Sequence, residues 1–201
     1  GGCALPTSLH AVERGDIKIG DTVLVLGSGP VGVNAVVLAQ LRGALKTLCI
    51  GAPQARLDAA ERSGAVTLNI ETHDEAERLH WVLEQTGGRG ADVTIEATGA
   101  PRAVVQAMRF TRDAGTVVIV GQYTDHGDAS FNPHLDLNKK HLDVRGCWGS
   151  DFSHFYRSAQ LAAAKPELWK DMKLDAYKLK DANQALTDVA NGRVLKAIIQ
   201  P

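Results

Sequence analysis

Short β-branched runs alternate along the chain with longer stretches whose apolar residues recur every three or four positions. The runs at 22–26, 47–50, 66–69, 92–96, 116–120 and 141–145 have strand length. Their nearly continuous apolar character predicts strands covered on both faces. Between them, 30–41, 54–63, 74–85 and 101–110 carry helical spacing, as Val31, Ala35, Leu38 and Ala39 illustrate. Pro30 and Pro101 suit a first helical turn, where a missing N–H costs little. Gly43, Gly64 and Gly87 suit helix ends. Repeated strand–helix–strand units with long crossovers predict an α/β fold. It is a doubly wound parallel sheet of about six strands, order 3-2-1-4-5-6, with helices on both faces. Residues 121–140 break the alternation and read as a loop with a weak strand or short helix near 131–137. Beyond Asp151 the pattern predicts helices at 153–164 and 180–191 and a last strand at 194–199 with no evident partner in the sheet.

Composition narrows the function. Hydrophobic residues are 44% and charged residues 22% of 201, which excludes a disordered chain and allows one or two domains. A net charge of −1 without a basic run argues against nucleic acid or an anionic membrane surface as partner. No apolar stretch reaches the roughly 18 residues of a membrane span. Cys3, Cys49 and Cys147 are odd in number, far apart and without C-x-x-C, which fits a reducing, cytoplasmic setting. Residues 1–10 lack the basic and apolar regions of a signal peptide. A chain opening on Gly1 is expected to be part of a longer polypeptide.

The strongest motif is Gly27-Ser28-Gly29-Pro30-Val31-Gly32, a G-x-G-x-x-G between a predicted strand and a predicted helix. Gly27 permits a tight turn, Gly29 leaves room for a pyrophosphate, and Gly32 lets the helix approach the sheet. Free N–H groups and the helix dipole then favour phosphate, which makes a nucleotide site the leading reading against a tight turn without ligand. The acid expected at the end of the second strand, to bind the ribose, is missing. Gly51 stands in its place, followed by Ala52, with Arg56 nearby. Nothing there repels a 2′-phosphate, and Arg56 is either its partner or a solvated cation. The cofactor is therefore NAD or NADP, with NADP favoured.

Several spaced blocks resemble the medium-chain, zinc-type alcohol dehydrogenase family. Gly20-Asp21-Thr22-Val23-Leu24-Val25 leading into the glycine loop is similar to that family's G-D-x-V-x-V-x-G-x-G-P-V-G. Ala59 to Ala65 resembles its A-x-x-x-G-A, Gly90 to Gly99 its G-A-D-V-V-I-D-A-T-G, and Gly115 to Gly121 its G-G-x-V-V-x-V-G, with Ala114 replacing the first glycine. The resemblance implies a Rossmann-type dinucleotide-binding domain over residues 1–150, with its core at 17–148 and 1–12 as a boundary segment. Residues 151–201 become a tail returning toward a GroES-like catalytic domain whose sequence is absent here. Hydride transfer between NAD(P) and an alcohol or carbonyl substrate follows, zinc-assisted in a full-length chain. The alternatives are a zinc-free quinone or enoyl-type reductase of the same superfamily and a non-catalytic dinucleotide-sensing module.

By the same resemblance Cys3 falls at a ligand position of the catalytic zinc, against a reading as an unliganded boundary cysteine. One thiolate does not hold zinc, so none is expected on this chain alone. Thr7 is placed near the nicotinamide, as are Val120, Gly121 and Gln122. Core packing is the competing reading for Val120. Ala97 and Thr98 fall on the adenine side, and Cys147-Trp148 at the domain junction. A homodimer is implied through the edge strand running from His141 to Arg145. No catalytic residue is assigned: the seven histidines show no H-E-x-x-H, and there is no G-x-S-x-G.

Overall fold

The computed structural model describes residues 3–170, 172 and 174–200. Six parallel strands form the main sheet: β1 (Thr22–Leu26), β2 (Lys46–Gly51), β3 (Val66–Asn69), β4 (Ala91–Glu96), β5 (Thr111–Ile119) and β6 (Asp143–Gly146). Their order is β3-β2-β1-β4-β5-β6, as the alternation predicts. Seven α-helices accompany them among the described residues: α1 (Ala4–Gly15), α2 (Pro30–Arg42), α3 (Gln54–Arg62), α4 (Glu75–Gln85), α5 (Pro101–Phe110), α6 (Phe152–Ala164) and α7 (Ala182–Ala190).

Successive strand residues point to opposite faces, so each strand feeds two cores. Val23, Val25, Cys49, Ile95 and Val118 pack with residues of α1, α2 and α3. Leu24, Leu26, Leu48, Ile50 and Val117 pack with Val82 of α4 and Ala103, Ala107 and Phe110 of α5. Leu24 sits in register with Leu48 on one side and Thr94 on the other. Burying a side chain such as Leu24 or Leu48 contributes about 1.5–3 kcal/mol, and both are fully buried. Local signals agree with this packing. Asp74 caps α4 in a reciprocal box with Glu77, and Gly43 ends α2 at φ +112°.

Three features depart from the sequence pattern. Helix α1 was not predicted; it packs Leu5, Ala11 and Val12 into the core, and Pro6 falls in its first turn, where it breaks nothing. The sixth strand starts at Asp143, not His141, because His141 turns the chain at φ +54°. The last strand, β8 (Lys196–Gln200), stays outside the main sheet, but the strand it pairs with in parallel, β7 (Leu174–Lys178), has no counterpart in the sequence pattern. The weak element near 131–137 takes the helical of its two readings, as a π-helical turn, Pro133–Asn138.

The segments after Asp151 return to the same body. On α6, His154 Nε2 lies 3.3 Å from Glu13 Oε2 of α1, and Arg157 pairs with the same Glu13. Trp169 Nε1 donates to Asn34 Oδ1 of α2 at 2.8 Å. Among the described residues no helix is long and apolar enough to cross a membrane.

Candidate functional site

The chain leaves β1 toward β2 on one side, while β4 lies on the other. Such a switch in direction opens a crevice at the C-terminal ends of the strands. Two main-chain bonds define its floor: Gly27 N–H donates to Ile50 O at 2.7 Å, and Ala97 N–H donates to Leu26 O at 2.8 Å.

The three motif glycines have different physical reasons. Gly27 adopts φ +109°, and a Cβ there would lie 2.8 Å from Ala97 O. Gly32 sits so close to the loop that a Cβ would lie 1.9 Å from Gly27 O. Gly29 is unstrained, at φ −74°, and a Cβ there would meet nothing within 4 Å. The space above Gly29 is therefore open. It faces the first turn of α2, which among the described residues no side chain caps. The amides of Gly29, Val31 and Gly32 have no intrahelical acceptor, so a positive helix end looks into that space.

The opposite wall explains the missing acid. Ser28 Oγ donates to Ala52 O at 3.1 Å. In this position it fills the room beside Gly51, where a Cβ would lie 2.4 Å from Ser28 Oγ and 2.8 Å from Ser28 N. A cleft of about 230 Å³ results, lined by Gly27, Ser28, Gly29, Gly51, Ala52, Arg56, Ala97 and Thr98, all singled out from the sequence, together with Leu26, Ile50 and Ile70. Arg56 reaches the cleft while Nη2 donates to Val189 O of α7 at 2.8 Å. Its Nε is buried without a hydrogen-bond partner.

The other expected residues do not line this cleft. Pro30 opens α2, and Val31 O accepts from Ser8 Oγ at 2.8 Å. Thr7 is half-buried one residue before Ser8 on α1. Val120 is 6% exposed and belongs to the core, while its N–H and that of Gly121 both donate to Glu96 O at 3.0 Å. Gln122 lines a different depression of about 370 Å³, with Pro101, Val104, His126 and Trp148; its Nε2 is buried without a partner. Cys3 is exposed at the N-cap of α1, and among the described residues no group of three His, Cys, Asp or Glu converges on a metal position. Burial pushes the Cys49 thiol up to about 12 and that of Cys147 to about 11, so neither is a nucleophile near neutral pH.

One polar residue was not singled out from the sequence. Glu96 ends β4 fully buried, and its Oε1 accepts from Thr98 N–H at 2.7 Å and Thr98 Oγ1 at 2.6 Å. The available signal was a carboxylate at the end of a strand that is buried along most of its length.

The family model described as zinc-binding dehydrogenase matches residues 30–164. A curated relative, 5-exo-hydroxycamphor dehydrogenase of Pseudomonas putida, is 34% identical over 98% of this chain and 56% of its own length. An alcohol dehydrogenase of Thermotoga maritima superposes with a TM-score of 0.90 at 32% identity, covering 99% of this chain and 55% of that one. A zinc-binding dehydrogenase of Sinorhizobium meliloti 1021 solved with NADP superposes at 0.85 with 28% identity, over 98% of this chain and 57% of that one. The chain thus spans about half the length of the curated relatives it matches.

Proposed function

Because the chain belongs to the zinc-binding dehydrogenase family, we propose that it is the dinucleotide-binding part of an NAD(P)-dependent alcohol dehydrogenase acting on a small alcohol or carbonyl compound. The observation that carries this reading is the uncapped N-terminus of α2 facing open space above Gly29 at the switch point of the sheet. The amides of Gly29, Val31 and Gly32 hold the diphosphate. Gly27 and Gly51 keep side chains out of its path. Ala97 and Thr98 flank the adenosine. Arg56 keeps guanidinium donors beyond its bond to Val189 O, which favours NADP through its 2′-phosphate. Val120, Gly121 and Gln122 lie toward the nicotinamide end, where the unpartnered Gln122 amide offers a donor, and Thr7 flanks the same end.

When bound, the nicotinamide supplies the hydride donor or acceptor. The described residues do not fit a zinc ion, which needs three or four convergent ligands. In a longer polypeptide Cys3 would contribute one thiolate. The free edge of β6, Asp143–Gly146, is the surface for a homodimer with a continuous sheet. The three free cysteines suit a reducing compartment such as the cytoplasm.

The direct test is a fluorescence titration of the chain with NADPH and NADH. Saturable binding, tighter for NADPH, is expected. No binding of either dinucleotide at millimolar concentration would overturn the reading.

A further inference from the structure

Glu96 is a carboxylate with no exposed surface at the end of β4, on the same face as the buried Thr94 and opposite Val93 and Ile95. No cation pairs with it among the described residues. Its Oε1 accepts from the N–H of Thr98 at 2.7 Å, from Thr98 Oγ1 at 2.6 Å and from the N–H of Gly99 at 3.1 Å. Three donors converging on one oxygen call for an acceptor rich in lone pairs, and an ionised carboxylate forms such bonds more strongly than a neutral amide. The same residue accepts through its main-chain oxygen from Val120 and Gly121. Its side chain therefore holds the turn after β4, and its backbone holds the turn after β5.

These two turns interlock. A Cβ on Gly121 would lie 2.5 Å from Gly99 N, 2.7 Å from Thr98 N and 2.8 Å from Glu96 Oε2. Gly121 thus lies flush against the two amides that Glu96 orients. Thr98 lines the cleft itself. Burying a carboxylate is unfavourable unless its hydrogen bonds are made, and an apolar residue would serve stability alone at less cost. Among the described residues Oε2 is buried without any donor, so the carboxylate is not arranged for its own satisfaction. What it does achieve is a fixed spacing between the turns after β4 and β5.

We propose that Glu96 is a positioning residue of the dinucleotide site, setting the Thr98–Gly99 turn against Gly121 so that both present a preformed wall to the cofactor. This rests on the dinucleotide reading above. Glu96→Ala removes the acceptor. Glu96→Gln keeps one oxygen for the three donors and places its amide where Oε2 has no partner. Three quantities are read for each variant: dissociation constants for NADPH and NADH, hydrogen exchange at the Thr98 and Gly99 amides in ligand-free protein, and the urea midpoint. Glu96→Ala is expected to weaken both dinucleotides by roughly tenfold or more and to speed exchange at the two amides by a similar factor, the equivalent of one charge-assisted bond. Glu96→Gln is expected to restore most of both. Unchanged binding in Glu96→Ala overturns the proposal, as does a loss that follows the urea midpoint equally in both variants. Should Glu96→Ala fail to fold, Thr98→Val removes the hydroxyl donor to Glu96, together with the oxygen that accepts from Ala100 N–H at 3.0 Å. It is expected to weaken binding by about threefold, within the range for a single net hydrogen bond, and unchanged binding counts against the proposal. If the wild type binds neither dinucleotide, the functional reading falls. The exchange rates then judge Glu96 by themselves, and equal rates in wild type and Glu96→Ala overturn it.

Discussion

Replacing Gly29 and Gly32 separately by alanine divides ligand binding from folding. At Gly29 the backbone is extended, at φ −74° and ψ −179°, and the new methyl meets nothing within 4 Å. The folded protein tolerates it, and lower chain entropy in the unfolded state stabilises by up to about 1 kcal/mol. The same methyl projects into the space assigned to the diphosphate. Each amide–phosphate bond is charge-assisted, so displacing one costs about 1.5–3 kcal/mol, or roughly 10- to 150-fold in affinity. At Gly32 the methyl would lie 1.9 Å from Gly27 O. A backbone oxygen cannot rotate away, so loop or helix must shift, and overpacking of this kind costs about 1–3 kcal/mol. Urea unfolding and NADPH titration on both variants give the comparison. Gly29→Ala is expected to keep its unfolding midpoint and lose affinity, whereas Gly32→Ala loses both. Gly29→Ala binding like wild type would refute the diphosphate position, and an unshifted midpoint in Gly32→Ala would refute the close approach of loop and helix.

Further expectations are independent of that pair. Arg56→Ala should weaken NADPH by roughly 10- to 100-fold while leaving NADH within about twofold, as loss of a charge-assisted phosphate contact dictates; equal loss of both would show that Arg56 merely anchors α7 through Val189 O. Asp92 accepts from Thr22 N–H at 2.8 Å and Arg112 Nε at 2.6 Å. Burial raises its pKa, but these two partners outweigh that and leave it below the ordinary aspartate value. Its contribution is therefore present above the unfolded-state pKa and fades as pH falls through the lower folded value. Wild type should lose stability steeply below about pH 4, while Asp92→Asn should be about 1–2 kcal/mol weaker at pH 7 and show a shallower acid slope; parallel pH profiles would sink this assignment. Light scattering after gel filtration should return twice the 21.4 kDa chain mass if β6 pairs across a two-fold axis, and a monomer mass at high concentration excludes that pairing.

The parallel sheet was legible because both of its faces are covered. Strands such as Thr22–Leu26 carry a nearly continuous apolar run, and four crossovers of helix length leave few topologies. What escaped had mixed or interrupted signals. Pro6 obscures α1, although Leu5, Leu9 and Val12 already carry a helical stripe. Leu174–Lys178 is half-exposed, and its pairing with Lys196–Gln200 is not marked by any local feature. His141 has a strand-like neighbourhood, yet its positive φ depends on the turn that precedes β6.

The site divides along the same line between local and distant causes. In the glycine loop Gly32 answers to Gly27, only five positions away, whereas Gly27 answers to Ala97 at the end of β4 and takes its positive φ from the turn itself. The absent ribose acid cannot be read locally. Its reason lies across two strands, where Ser28 occupies the volume that any side chain at position 51 would need. The serine inside the motif and the glycine closing β2 are thus one decision, and an acid introduced at Gly51 must contend with Ser28 before it reaches a ribose. Glu96 is a stronger instance. Its donors, at Thr98 and Gly99, are two and three residues away, but the surface that gives them a purpose is Gly121, reached only after α5 and β5 have returned to the crevice. A buried carboxylate in a strand pattern is therefore a reason to ask which two loops meet at its end, a question that the linear sequence poses and only the sheet order answers.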